Sequence, residues 1–118
     1  MTGFESREEL RDIRFDFEDY KIRDDAIRIL AENVKWMRVH SNYRILIEGH
    51  ADERGSREYN LTLGERRAKA AMNYASTQGV LDARMTIVTY GKERPLCIED
   101  NEQCWARNRR AHFLVSAQ

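Results

Sequence analysis

The residues of this chain that could do chemistry cluster in two places. The first is Gly49-His50-Ala51-Asp52-Glu53-Arg54-Gly55, where an imidazole, two carboxylates and a guanidinium crowd one short stretch. His50, Asp52, Glu53 and Arg54 are all candidates for ligand contact, or together a solvated polar loop. His50-x-Asp52 offers two metal-ligand types, yet two donors do not make a site, and no second His is spaced to complete one. His40 lies at the far end of the preceding strand and His112 in the last one. The second place is Arg67. At about 100° per residue, Leu63, Gly64, Ala68, Ala71, Tyr74 and Ala75 share one arc of roughly 140°. Glu65, Arg66, Lys69 and Asn73 face the other way, but Arg67 falls inside the apolar arc. A guanidinium there needs an anionic partner or a route to water. It can snorkel or pair with a structural carboxylate. Alternatively, its planar fork can await a ligand carboxylate, which it matches bidentately. The sequence holds no Ser-nucleophile motif, no phosphate-cradling Gly loop and no carboxylate pair spaced for acid–base work.

The elements that position these residues are legible from periodicity. Ile13 to Phe17 alternates apolar and polar, a strand signal. From Ile22 to Val39 the apolar positions Ile22, Ala26, Ile29, Leu30, Val34 and Met37 recur at helical spacing, with Asn33 in the same stripe. Tyr43 to His50 reads as a strand with Tyr43, Ile45 and Ile47 on one face. Ala51 to Asn60 reads as a polar loop, and Leu63 to Gln78 as a helix with Gly79 at its C′ position. Met85 to Tyr90 is a strand, Gly91 to Asn108 a long loop, and Arg110 to Ser116 a last strand with Ala111, Phe113 and Val115 on one face. Ser6-Arg7-Glu8-Glu9 resembles a capping box, which predicts a short helix over Ser6 to Leu10. Residues 1–12 therefore read as an N-terminal segment and 13–118 as the domain. Two helices on one face of a mixed four-stranded sheet, an α+β two-layer sandwich, buries every stripe.

Composition limits the function classes. With 118 residues there is room for one domain. Twenty Lys and Arg balance twenty Asp and Glu, and a general nucleic-acid binder of this size is normally basic. No apolar run reaches the ~20 residues needed to cross a bilayer. The opening MTGFESREEL lacks the apolar core of an export signal.

The stretch from Ile47 to Ala68, IEGHADERGSREYNLTLGERRA, resembles the peptidoglycan-binding motif of the OmpA-like domain family. The matching positions are Ala51, Asp52, Gly55, Tyr59, Asn60, Leu63, Gly64, Arg67 and Ala68. Within the family the wording is most similar to the branch of peptidoglycan-associated lipoproteins. Tyr90-Gly91-Lys92-Glu93-Arg94-Pro95 and Asn108-Arg109-Arg110-Ala111 are similar to it too. The resemblance runs from about Ile13 to Ser116 and implies a β-α-β-α-β-β order. It also implies noncovalent binding of the peptidoglycan stem peptide at meso-diaminopimelate, with no bond made or broken. That residue ends in an ammonium and a carboxylate on one carbon. Asp52 is expected to take the ammonium and Arg67 the carboxylate. Asn60 is expected to order the loop or cap the helix, and Tyr59 to pack. Phe17, Glu18 and Asp19 are expected to line the other wall.

The same resemblance implies a periplasmic place at the outer membrane, held by a lipid anchor, and partners in the Tol system including the TolB propeller protein. Members of this branch begin with a lipid-modified Cys and a flexible tether that this sequence lacks, so Met1 is expected to mark a shortened start. Alternatives are the wall-anchoring domain of a flagellar stator protein and a metal-dependent cell-wall amidase using His50 and Asp52. No cofactor is expected. Cys97 and Cys104 flank a polar loop. They read as two free thiols, as a disulfide, or with His112 as a metal site that lacks a fourth ligand. The export implied by the resemblance favours the disulfide, with reduction expected to spare binding.

Overall fold

The computed structural model describes residues 3–117. The elements are β1 (Glu5–Ser6), β2 (Ile13–Arg14), α1 (Asp24–Val39), β3 (Tyr43–His50), α2 (Arg57–Thr77), β4 (Met85–Gly91), α3 (Glu102–Asn108) and β5 (Arg110–Ala117). A single 3-10 turn, Asp82–Arg84, leads into β4. The sheet runs β1-β5-β3-β4, and β2 also pairs with β5. β1 and β2 thus share one edge of β5, opposite Val115 and Leu114 and opposite Ala111 and Arg110. β3 is central, parallel to β4 and antiparallel to β5.

Both long helices cover one face. α1 buries Ala26, Leu30, Asn33, Val34 and Met37; α2 buries Leu63, Gly64, Arg67, Ala68, Ala71 and Ala75. They pack on Ile13, Ile45, Ile47, Met85, Ala111, Phe113 and Val115 in one core. Asn33 interrupts the α1 stripe because its amide pairs with both backbone groups of Arg11, at 3.1 and 2.7 Å. That satisfies a buried side chain and ties down the N-terminal segment. α2 lies close on the sheet because Gly49 and Gly64 meet backbone to backbone. A Cβ on Gly49 would stand 1.7 Å from the Gly64 carbonyl oxygen.

Four local expectations need correcting. Ser6 to Leu10 is not a helix: Glu5 and Ser6 pair with β5 instead. One isolated turn is costly to nucleate, and the β5 edge offers those backbone groups partners. The first strand ends at Arg14 rather than Phe17, since the chain leaves the sheet there. Phe15 stays buried, but Phe17 is half exposed and Glu18 adopts φ +56°. α2 starts at Arg57, not Leu63. Ser56 caps it by accepting from the Tyr59 amide at 3.1 Å, and the polar first turn faces water. Its far end matches the sequence reading, with Gly79 at φ +99°. Finally, the long loop after β4 contains α3, capped by Asn101, which accepts from the Cys104 amide at 2.9 Å.

Candidate functional site

The site lies at the C-terminal end of β3, where open α/β sheets bind ligands. A cavity of ≈ 310 Å³ opens there, lined by Phe17, Glu18, Asp52, Arg54, Gly55, Ser56, Tyr59, Asn60, Leu63 and Arg67. Three segments build it: the turn after β2, the loop after β3, and the first three turns of α2. Asp52 and Arg67, one charge of each sign, share its lining.

Arg67 is wholly buried. Its guanidinium neither snorkels nor meets a structural carboxylate. It donates to three backbone carbonyls, from Nε to Asp19 at 2.8 Å, from Nη1 to His50 at 2.9 Å and from Nη2 to Asp16 at 3.0 Å. The early end of the first strand now has its physical reason: the turn from Asp16 to Asp19 aims two carbonyls at this cation. Of the five N–H groups on a guanidinium, two remain for a ligand. Burial, then repulsion from Arg109, pushes the Arg67 pKa down to about 10, so it stays a cation at neutral pH.

Asp52 is also buried. Arg54 clamps it, Nε to Oδ1 at 3.1 Å and Nη2 to Oδ2 at 2.8 Å, and the Arg54 amide donates to Oδ1 at 3.0 Å. Arg109 reaches Oδ2 at 3.4 Å. Burial alone would raise the Asp52 carboxyl, but the Arg54 bonds and charge, with Arg109, hold it below the ordinary carboxylate range. Arg54 itself is sandwiched between the rings of Phe17 at 3.9 Å and Trp105 at 4.1 Å.

The other expected residues fall in several places. Phe17, Gly55, Asn60 and Leu63 line the cavity. Asn60 sits inside α2, and its amide donates to the Arg54 and Ser56 carbonyls at 2.8 and 3.0 Å, which orders the loop. Tyr59 does not pack inside: it is half exposed on the rim. Asp19 is outside the lining, and its contribution is a carbonyl to Arg67, while its carboxylate accepts from the Lys21 amide at 2.9 Å. Ala51 is buried behind the site, its amide bonded to the Gly91 carbonyl at 2.8 Å. Glu18 does line the cavity. His50 points its ring away, Nε2 to Glu48 Oε1 at 3.0 Å, so it does not converge with Asp52 on a metal. Among the described residues no three His, Cys, Asp or Glu side chains group to hold a metal ion.

Cys97 and Cys104 form a disulfide, with Cα atoms 5.4 Å apart. The bridge ties α3 to the preceding loop, and α3 touches the site. Trp105 covers Arg54, and Glu102 binds Arg109 at 2.9 Å. Sequence reasoning missed Trp105, Glu102 and Arg109 as neighbours of Asp52. The local sequence carried little signal: of the adjacent Arg109 and Arg110, only Arg109 reaches Asp52, while Arg110 pairs with Asp12 at 3.1 Å.

The family model described as OmpA family matches residues 14–109. A protein of Mesorhizobium japonicum named peptidoglycan-associated lipoprotein is 48% identical over 104 residues, covering 88% of this chain and 62% of that protein. This chain therefore spans about three fifths of that relative's length. The crystal structure of the peptidoglycan-associated lipoprotein from Burkholderia pseudomallei is 40% identical, with a TM-score of 0.86 over 90% of each chain. The C-terminal domain of Helicobacter pylori MotB reaches a TM-score of 0.84 over 92% of this chain and 85% of that one, at 18% identity, a likeness of fold alone. The mixed sheet, its two covering helices and the long motif from Ile47 to Ala68 have the same explanation: this chain belongs to the OmpA family.

Proposed function

We infer that this domain binds the peptidoglycan stem peptide noncovalently at meso-diaminopimelate. The observation that carries the reading is the joint lining of one cavity by Asp52 and Arg67. The zwitterionic end of diaminopimelate carries the opposite charge of each on one carbon. The ammonium would share the Asp52 carboxylate, and the carboxylate would accept the two spare N–H groups of Arg67. Tyr59, Leu63 and Phe17 supply apolar walls for the methylene chain between its two ends. In this reading the ligand is held by these charges and walls, with no bond made or broken.

The names of its relatives support a wall-binding role. In the whole protein this domain would link the outer membrane, through a lipid anchor, to the wall on the periplasmic side, alongside TolB and the other Tol proteins. A pull-down on purified diaminopimelate-type peptidoglycan, with free meso-diaminopimelate as competitor, tests the reading. Retention that the competitor abolishes is expected; retention indifferent to it would refute the assignment.

A further inference from the structure

The geometry around Asp52 extends beyond the cavity into α3. Asp52 is held by two cations, and each is positioned from α3 or its end. Arg54 lies under the Trp105 ring at 4.1 Å, and the Trp105 indole N–H donates to Glu53 Oε2 at 2.9 Å. Arg109, at the C-terminal end of α3, donates to Glu102 at 2.9 and 3.3 Å, to the Phe15 carbonyl at 2.9 Å and to Asp52. A seven-residue helix does not hold itself together in water. Among its own residues, α3 buries only Cys104 and Asn108. Those two residues are its fastenings: Cys104 through the disulfide, and Asn108 through amide bonds to the Leu96 and Cys97 backbone at 2.8 to 3.2 Å. Both fasten to the same short stretch, so the loop, the bridge and the helix form one unit.

We propose that Trp105 and Glu102 are positioning residues for Asp52, acting through Arg54 and Arg109, and that the Cys97–Cys104 bond is what holds them there. The binding site is then complete only in the oxidised protein. This rests on the cavity being the diaminopimelate site, but the arrangement of Asp52 can be read without any ligand. A soluble dithiol can open the bridge. Its thiolate attacks the Cys97 sulfur, the more exposed of the two, and Cys104 leaves as thiolate. The second thiol of the reagent then closes the reagent's own disulfide and releases Cys97. Two electrons pass to the bridge, and the dithiol's two protons end on the cysteines.

The test uses two readouts on oxidised protein, dithiol-reduced protein, the Cys97→Ser/Cys104→Ser double variant, Trp105→Ala and Trp105→Phe. One is the titration of the Asp52 carboxyl followed by NMR; the other is calorimetric affinity for meso-diaminopimelate. Amide protection of β3 and β5 shows that the core stays folded. Reduction, the double variant and Trp105→Ala are expected to move the Asp52 titration up and to weaken affinity about tenfold. Trp105→Phe should restore most of both, because a ring still covers Arg54. An unmoved Asp52 titration in protein with two verified free thiols would overturn the proposal, as would a harmless Trp105→Ala. If Asp52 responds to reduction but oxidised protein binds no diaminopimelate, the α3 clamp stands and the ligand assignment falls.

Discussion

Arg67 shows how far a single residue could be read from sequence. Its place in an apolar arc marked it as a cation needing partners. Nothing in the local pattern said that the partners would be carbonyls from Asp16, Asp19 and His50, because two of them lie about fifty residues away in the chain. The carbonyl clamp changes what substitution does. Arg67→Ala leaves three carbonyls without their donor, the His50 one buried and the Asp16 and Asp19 ones part-buried, and a stranded buried polar group costs about 1–3 kcal/mol. The variant is expected to lose roughly 3 kcal/mol of unfolding free energy in urea, besides losing its ligand. A loss below about 1 kcal/mol would show that the carbonyls find other donors. Asp52→Asn is the cleaner probe of binding, since it keeps shape and removes charge. It should weaken meso-diaminopimelate binding by about thirtyfold or more in a calorimetric titration, and it should also lower the melting point, because the Asp52 charge balances Arg54 and the buried Arg109. Binding unchanged by Asp52→Asn would remove the ammonium from this pocket.

At the scale of elements, period and apolar content located α1, β3, β4, β5 and most of α2. They could not locate β1 or α3. β1 exists because β5 has an edge to fill, a fact of topology rather than local pattern. α3 is short, polar and fixed by a disulfide and caps, so no apolar period betrays it. The bridge adds little global stability, about 2.5 kcal/mol for so short a loop in the chain-entropy model. The bridge lies outside the cavity, as the sequence reading has it, but the helix it fastens carries Trp105 and Glu102 to the two cations on Asp52. Another element-scale fact, the approach of α2 to β3, depends on two residues without side chains. Gly49→Ala would drive a methyl into the Gly64 carbonyl, backbone against backbone. It is expected to destabilise by about 3 kcal/mol, the upper range for overpacking, by urea unfolding. A cost under 1 kcal/mol would mean the helix can lift away from the sheet without penalty.

Across the whole molecule, the buried charges predict how stability follows pH. Burial, the first cause, holds the His50 pKa below its ordinary 6.5 despite the opposing bond from Glu48. A group with a depressed folded pKa stabilises fully above its unfolded pKa and loses that contribution as pH falls through the folded one. Stability should therefore decline below about pH 6.5 as His50 is forced to charge. A second decline follows below about pH 4, where Asp12, Glu48 and Asp52 must be protonated; burial would raise all three, but hydrogen bonds and charges from His112 and Arg110, from His50, and from Arg54 and Arg109 respectively hold them low. Urea midpoints across pH 3 to 8 check this, and His50→Gln should remove the upper step and shrink the lower one by Glu48's share. A midpoint that rises from pH 6.5 to 5 would contradict it. Arg67 takes no part in this profile, and in the proposed function it selects the ligand, because it has backbone dipoles around it but no carboxylate in contact. The most direct test is calorimetric titration of the oxidised protein with two stem tripeptides that differ only in ending in meso-diaminopimelate or in lysine. Lysine lacks the side-chain carboxylate, so it should bind weaker by about thirtyfold or more; equal affinity for the two would contradict the pairing of Arg67 with the ligand.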